Sequence, residues 1–242
     1  MSKHALYPMC AKCSIRTCDL HNRVGTEPPP IEEAPEFCPM RLKADVIKKA
    51  VAEYERAEVR ELARVGSLQE AACYEWIPAE AEGRTGSRTK IPRVEEVIQF
   101  ARKMDYRKLG VAFCLGVGEE ARTLDRILEN HGFQVVSVCC KAGQFDKETI
   151  GIKREETIGG PKGKLYYESM CSPVTQAEIL NSENVDFALM LGLCVGHDTL
   201  FIRYCKAPMT VLAVKDRVFG HNPLAAIYLS HSYYSRLALK PK

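Results

Sequence analysis

No run of the chain approaches the roughly 18 consecutive apolar residues that would span a bilayer. The first residues also reach Cys10 without the apolar core of a secretory leader. A soluble, cytoplasmic protein is expected on both counts. Charge of one sign is missing as well: 34 basic residues stand against 31 acidic ones, a net charge of +3 over 242 residues. No strong field would draw such a chain onto nucleic acid or an anionic membrane, so neither is expected as a partner. Nucleotide signatures are incomplete. The stretch "CLGVGEE", 114–120, could cradle a phosphate, yet it has neither the full dinucleotide pattern nor the lysine of a P-loop.

What the chain has in abundance is cysteine, eleven in all. In an intracellular protein such a set points to metal binding or thiol chemistry, because disulfide frameworks belong to oxidising compartments. The odd count leaves at least one thiol outside any fully paired scheme.

The organisation reads as three parts: a cysteine-rich metal-binding segment at 1–40, a helical region at 41–105, and an α/β domain at 106–242. The first part is short of helical period and carries "EPPPIEEAPEFCP", whose prolines forbid a regular helix. With so little apolar material it needs a staple. From Leu42 to Val65 apolar residues recur near a 3.6 period, which predicts one long amphipathic helix. Ser67 with Glu70 three residues on predicts the start of another helix over 67–77. The polar stretch 79–90 reads as a solvated linker, although its Arg84, Arg88 and Lys90, with Arg93, could meet an anion. Pro92 suits the first turn of a further helix over 91–104.

Beyond Lys108, short apolar runs alternate with helical stretches. Strands are expected at 109–116, 133–140, 185–194 and 209–216, and helices at 119–132, 175–184, 198–205 and 222–237. Asn222 is expected to cap the last helix, with Pro223 at its first position. Such alternation implies parallel pairing with both faces covered. The fold class is therefore α/β, a small doubly wound and mainly parallel sheet of four or five strands, with the cysteine-rich segment and a helical insert before it.

The cysteines fall at the strand ends. Cys114, Cys139–Cys140 and Cys194 each close an apolar run and are followed within three residues by glycine. In a parallel sheet all these ends share one edge, where ligands bind in open α/β folds. A connection of some thirty residues, 141–170, then delivers Cys171 just before a helix, so a fourth thiol can reach that edge. Helix starts at Thr175, Asp198 and Asn222 should add N–H groups favourable to anionic sulfur. Strand alternation sends Cys139 and Cys140 to opposite faces, and Cys140, nearer the end, is preferred. The second-site ligands are thus Cys114, Cys140, Cys171 and Cys194, with an iron–sulfur cluster as their guest. Buried core thiols are the competing reading, and Cys73 and Cys205 are assigned to it as helix residues. His197 and His221 follow strand ends and Lys215–Asp216 closes the last strand, so all four are expected to border the crevice; His197, Lys215 and His221 are the catalytic candidates, although cap or turn roles suit the histidines equally.

The N-terminal spacing is C-x2-C-x4-C-x19-C-P, from Cys10, Cys13, Cys18 and Cys38. A tight pair, a third thiol nearby and a remote fourth compose a four-cysteine metal site, with His21 as a possible substitute. The absence of a second C-x2-C weakens a zinc ribbon, and the Cys-Pro ending is shared with ferredoxin runs of different spacing. A 4Fe–4S cluster leads, and zinc stays open. The stretches "CAKCSIRTC", "FCP", "RVEEVIQFARKMDYRKLGVAFC", "MCSPVTQAEILN", "LGLCVGHDTLF" and "VKDRVFGHNPLAA" resemble a family of uncharacterised cysteine-rich proteins of anaerobic prokaryotes, a domain of unknown function described as predicted metal-binding. The likeness spans nearly the whole chain. It implies metal binding at Cys10, Cys13, Cys18 and Cys38 and transfers no reaction.

The functional expectation is an iron–sulfur protein with two sites, the second serving redox or sulfur-transfer chemistry with a partner protein. The alternatives are a zinc-stapled, non-enzymatic metal sensor, carrier or adaptor, and a thiol enzyme with Cys171 or Cys194 as nucleophile.

Overall fold

The computed structural model describes residues 6–15, 17–18, 30–77 and 86–240. His21 and Arg84 lie outside them. The chain divides into two compact units, Met1–Leu68 and Gln69–Lys242.

In the first unit, single 3-10 turns at Cys10–Lys12 and Ile31–Glu33 precede α1 (Pro39–Leu42), α2 (Ala44–Ala52) and α3 (Ala57–Ala72), whose last residues lie past the unit boundary. Pro39 opens α1 at a position where its missing N–H costs nothing. The single helix expected over 42–65 is broken. Glu53–Glu55 form a 3-10 turn and Arg56 is extended, at φ −70° and ψ 129°. Arg56 is held between the carboxylates of Glu53 and Glu58 on either side of the break. Arg60 Nε donates to the Tyr54 carbonyl at 3.0 Å, which satisfies an acceptor released there. Ser67, expected to cap a helix, sits inside α3, which runs through it from Ala57 to Ala72.

The second unit starts with a surprise. Tyr74–Ile77, read from sequence as helix, form β1, and it pairs antiparallel with β2 (Gly86–Thr89) from the expected linker. Aromatic and β-branched residues favour an extended backbone at this point. Lys90 N–H donates to the Cys73 carbonyl at 2.9 Å and closes the ribbon.

Then follow α4 (Arg93–Lys103), β3 (Lys108–Phe113), α5 (Gly118–Asn130), β4 (Gln134–Cys139), α6 (Pro173–Ser182), β5 (Phe187–Leu191), α7 (His197–Tyr204), β6 (Met209–Ala213) and α8 (Leu224–Tyr228). β3 to β6 make a four-stranded sheet in the order β4-β3-β5-β6, parallel throughout. Alternation along β3 sends Leu109 and Val111 to one layer, with Ile98 and Ala101 of α4 and Leu124 and Leu128 of α5. Ala112 faces the other, with Ala177 and Leu180 of α6 and Phe201 of α7. The doubly wound α/β reading holds. Gly132, at φ +90°, ends α5 as expected: its N–H donates to Glu129 O at 2.9 Å, and the next N–H, of Phe133, to Leu128 O at 3.2 Å.

The last helix is far shorter than expected, running from Leu224 to Tyr228 with Pro223 as its cap. "SHSYYSR" cannot extend it, since serine, histidine and tyrosine are weak helix formers. The connection 141–170 is built rather than loose. Residues 145–147 lie antiparallel to 168–170, with Met170 N–H to Phe145 O at 2.8 Å and Lys147 N–H to Glu168 O at 3.1 Å. Lys147 pairs with Glu168, and Arg154 bonds both Asp146 oxygens, holding that carboxyl below its ordinary range. Among the described residues no helix is long and apolar enough to cross a membrane.

Candidate functional site

Two regions carry the thiols. In the first unit, Cys10, Cys13, Cys18 and Cys38 all line one cavity of about 260 Å³, together with Thr17, Phe37 and Met40. The turn Cys10–Lys12 is closed by Cys13 N–H to Cys10 O at 3.0 Å, which fixes the C-x2-C pair. Cys38 N–H donates to Pro35 O at 2.8 Å, and the Cys38 carbonyl accepts from Arg41 and Leu42 at the start of α1. Arg41 Nη1 reaches back to Ala34 O at 2.8 Å. Met9 N–H to Phe37 O, 3.4 Å, joins the two cysteine stretches.

A metal centre fits this pocket in two respects. Its donors are all sulfur, and Thr17, only 7 % exposed, buries a hydroxyl that finds no hydrogen-bond partner among the described residues. Such an orphan costs about 1–3 kcal/mol unless something polar arrives to meet it. Size adds to the fit. The space is many times the roughly 10–15 Å³ that one water requires. Among the described residues no three His, Cys, Asp or Glu side chains stand close enough to hold a single metal ion. A lone zinc needs its sulfurs at about 2.3 Å from one point.

The second region is the C-terminal edge of the parallel sheet. The strand order reverses between β3 and β5, which places the switch point there. Main-chain bonds carry the ladder past the strands: Cys114 N–H to Leu191 O at 3.1 Å, Cys140 N–H to Phe113 O at 2.8 Å, Lys215 N–H to Leu193 O at 3.2 Å. The edge residues are therefore rigidly set. Cys140 is buried, 2 % exposed, and Cys171 is half-buried. Ser172 N–H donates to the Cys140 carbonyl at 2.7 Å, which pins the end of the long connection onto the end of β4.

The Cys140 and Cys171 thiols lie within interaction reach of each other. Leu115 N–H also points at Cys140 Sγ, 3.3 Å away. Donation from Cys140, with the charges of Lys141 and His197 close by, lowers the Cys171 thiol to about 5. The same bond, with burial and the neighbouring Cys114, pushes Cys140 up.

Of the other two expected ligands, Cys114 neighbours Cys140, and Cys194 is held by Arg217. Cys194 Sγ accepts from Arg217 Nη2 at 2.9 Å, and its carbonyl accepts the first N–H groups of α7, from His197 and Asp198, each at 3.0 Å. Cys114 packs against both hydrophobic layers. Its Sγ and Lys215 Nζ both flank Gly116, at 3.9 and 3.6 Å from where a Cβ would stand.

Of the catalytic candidates, His197 lies within electrostatic reach of Cys171, and Lys215 lies beside Cys114 and Gly192. His221 is occupied by its own loop: its Nδ1 lies 3.0 Å from Val214 O and 3.3 Å from Asp216 N, at a strained φ of +69°. Asp216 Oδ1 accepts from Val218 and Phe219 N–H, both at 2.9 Å, in the same loop. Cys139 lines a separate cavity of about 370 Å³ with Ser137 and Asp125. Cys73 and Cys205 lie one residue past α3 and α7 rather than within them; Cys73 donates to Gln69 O, and burial pushes the Cys205 thiol up. Arg88 pairs with Glu75, and Arg93 bonds Val211 O and Thr210, so neither is poised for an anion.

Sequence reasoning did not find Thr17, Lys141, Arg217 or Gln176. Each looks like an ordinary polar neighbour in the one-dimensional pattern. Gln176 is fully buried in α6, and its side-chain nitrogen donates to Phe113 O at 3.1 Å and Val138 O at 2.7 Å, bridging β3 and β4 beneath the thiols.

Fold and site together define a class: an α/β protein with a doubly wound parallel sheet and thiols gathered along its C-terminal edge. Within that class, the chain belongs to the DUF1847 family, proteins of unknown function, whose pattern matches residues 38–212. That span takes in Cys38 and every sheet-edge thiol and starts after Cys10, Cys13 and Cys18. The chain is also similar to the uncharacterised protein MJ0455 of Methanocaldococcus jannaschii, with 40 % identity over 200 residues, covering 83 % of this chain and 91 % of the relative.

Proposed function

We propose that this protein is a cytoplasmic iron–sulfur protein, with its cluster held by Cys10, Cys13, Cys18 and Cys38 and a separate thiol centre at the sheet edge for redox or sulfur-transfer chemistry. The observation that carries the first part is the single cavity ringed by all four cysteines, with the Thr17 hydroxyl buried in its wall and unpartnered among the described residues. A bound cluster supplies one-electron transfer, at a potential set by hydrogen bonds to its sulfurs and by burial. The protein's own contribution is positional: two tight turns fix the cysteines, and Thr17 offers a donor.

The sheet-edge centre is supported by the closeness of the Cys140 and Cys171 thiols and by the basic side chains Lys141, His197, Lys215 and Arg217 set around the thiols. Those groups favour thiolate, the reactive form of cysteine. A partner protein would supply or receive electrons or sulfur there.

Anaerobic purification followed by iron, zinc and acid-labile sulfide analysis per chain tests the cluster. A brown protein whose iron and sulfide are lost on Cys10→Ser or Cys38→Ser is the expected result. A colourless protein with one equivalent of zinc overturns the cluster and leaves a zinc-stapled adaptor.

A further inference from the structure

We infer that Cys140 and Cys171 form a reversible dithiol–disulfide pair that reduces an external disulfide bond, with Cys171 attacking and Cys140 resolving. The inference rests on the reading of the sheet edge as a thiol centre and gives that centre a substrate class.

Backbone geometry brings the two residues together from widely separated parts of the chain. Ser172 N–H to Cys140 O, 2.7 Å, sets the residue after Cys171 directly against the residue that ends β4. A disulfide needs its Cα atoms roughly 4.4–6.8 Å apart, so such backbone adjacency is the first requirement for a link. The two thiols also lie within electrostatic reach of each other.

Exposure divides the labour. Cys140 is 2 % exposed, so an incoming disulfide cannot reach it, whereas Cys171 is partly open. Lys141 and His197 stand near Cys171 and favour its thiolate, which supports it as the attacking group. The Leu115 N–H aimed at Cys140 Sγ would stabilise charge on that sulfur as it in turn attacks.

The steps balance. Cys171 thiolate attacks one sulfur of R–S–S–R′, the S–S bond breaks, and R′S⁻ leaves. Cys140 sulfur then attacks Cys171 Sγ in the mixed disulfide, its proton passing to the departing RS group, which leaves as RSH. The protein pair loses two electrons and becomes a disulfide, and the substrate gains them as one thiol and one thiolate.

Glutathione disulfide and insulin, a small and a protein disulfide, serve as probes on the anaerobically purified full-length chain. Remaining thiols are then alkylated and the peptides mapped by mass. Expected in wild type is a link between the Cys140 and Cys171 peptides, with no glutathione retained; the probe reduced faster names the source of the substrate. Cys140→Ala should instead retain glutathione on Cys171, and Cys171→Ala should slow reduction by roughly tenfold or more. Glutathione left on Cys171 in wild type, or a link from Cys171 to Cys114 or Cys194, overturns the pairing while the thiol centre stands. A wild-type Cys171 inert to both disulfides and to iodoacetamide removes the thiol centre itself, and the pairing with it. The wild-type map decides the matter even if Cys140→Ala folds poorly by circular dichroism. Iron and sulfide measured on the same sample keep the N-terminal assignment separate.

Discussion

The opposed shifts of Cys140 and Cys171 give the pair a pH signature. The thiolate of Cys171 persists down to about 5, so its alkylation by iodoacetamide should be fast and level from pH 8 to pH 6 and fall as pH drops through that value. Cys140→Ala removes the donor and should raise the midpoint by a unit or more, as read from labelling rates of the Cys171 peptide. Stability follows with a definite sign. The lowered Cys171 contributes stability that is full above the unfolded thiol value, roughly 8.5, and is lost as pH falls through about 5. The raised Cys140 acts in the opposite sense: its contribution is full below the unfolded value and is lost at higher pH, as its folded value is reached. The urea midpoint should therefore rise with pH towards about 8.5 and fall beyond it, and the maximum should flatten in the double alanine variant. Part of this was legible in the sequence. Strand-end position singled out Cys140, because parallel strands share an edge, and the long connection ending just before a helix singled out Cys171. Their mutual contact was not, since it depends on where a thirty-residue connection returns, and neither was the role of Lys141, which reads as any lysine after a strand.

Among the elements, the β-strands of the sheet were the easiest to foresee. Apolar runs at β3, β4, β5 and β6 need burial on both faces, and glycine or proline punctuates them. Elements decided by side-chain chemistry outside the hydrophobic period escaped: Arg56 between two glutamates splits a helix, and Tyr74–Ile77 leave helix for a ribbon whose partner strand lies inside a polar stretch. β3 also shows why its own sequence contains a glycine. A Cβ on Gly110 would stand 2.8 Å from Leu180 Cδ1 and 3.2 Å from Val185 Cγ2, and both side chains are buried with little room to retreat. Gly110→Ala should destabilise the α/β unit by about 1–3 kcal/mol, read from urea unfolding, although alanine is otherwise the better strand residue. A Gly110→Ala, Leu180→Ala double variant should recover part of that loss, since the two sites share the same space.

At the scale of the whole molecule, the two units draw on different sources of order. The α/β unit has two buried layers of aliphatic and aromatic side chains. The described part of the first unit has only Ala34 and Val65 among its buried apolar residues, too little for a core of its own. Removing metal with a strong chelator should accordingly expose residues 1–42 to protease and leave the sheet domain protected, as followed by limited proteolysis and peptide mapping. Alkylation of Cys171 should be unaffected by that treatment. The near balance of charge fits a protein that meets partners by chemistry at a site rather than by a field over its surface. Gln176 draws the two scales together. Its one nitrogen clasps carbonyls of two adjacent strands where their ladder runs out, so swapping that single atom for oxygen, as in Gln176→Glu, would set like partial charges face to face without altering shape. The β3–β4 seam beneath Cys140 should then part, and reactivity at the thiols would report on a substitution that touches neither of them.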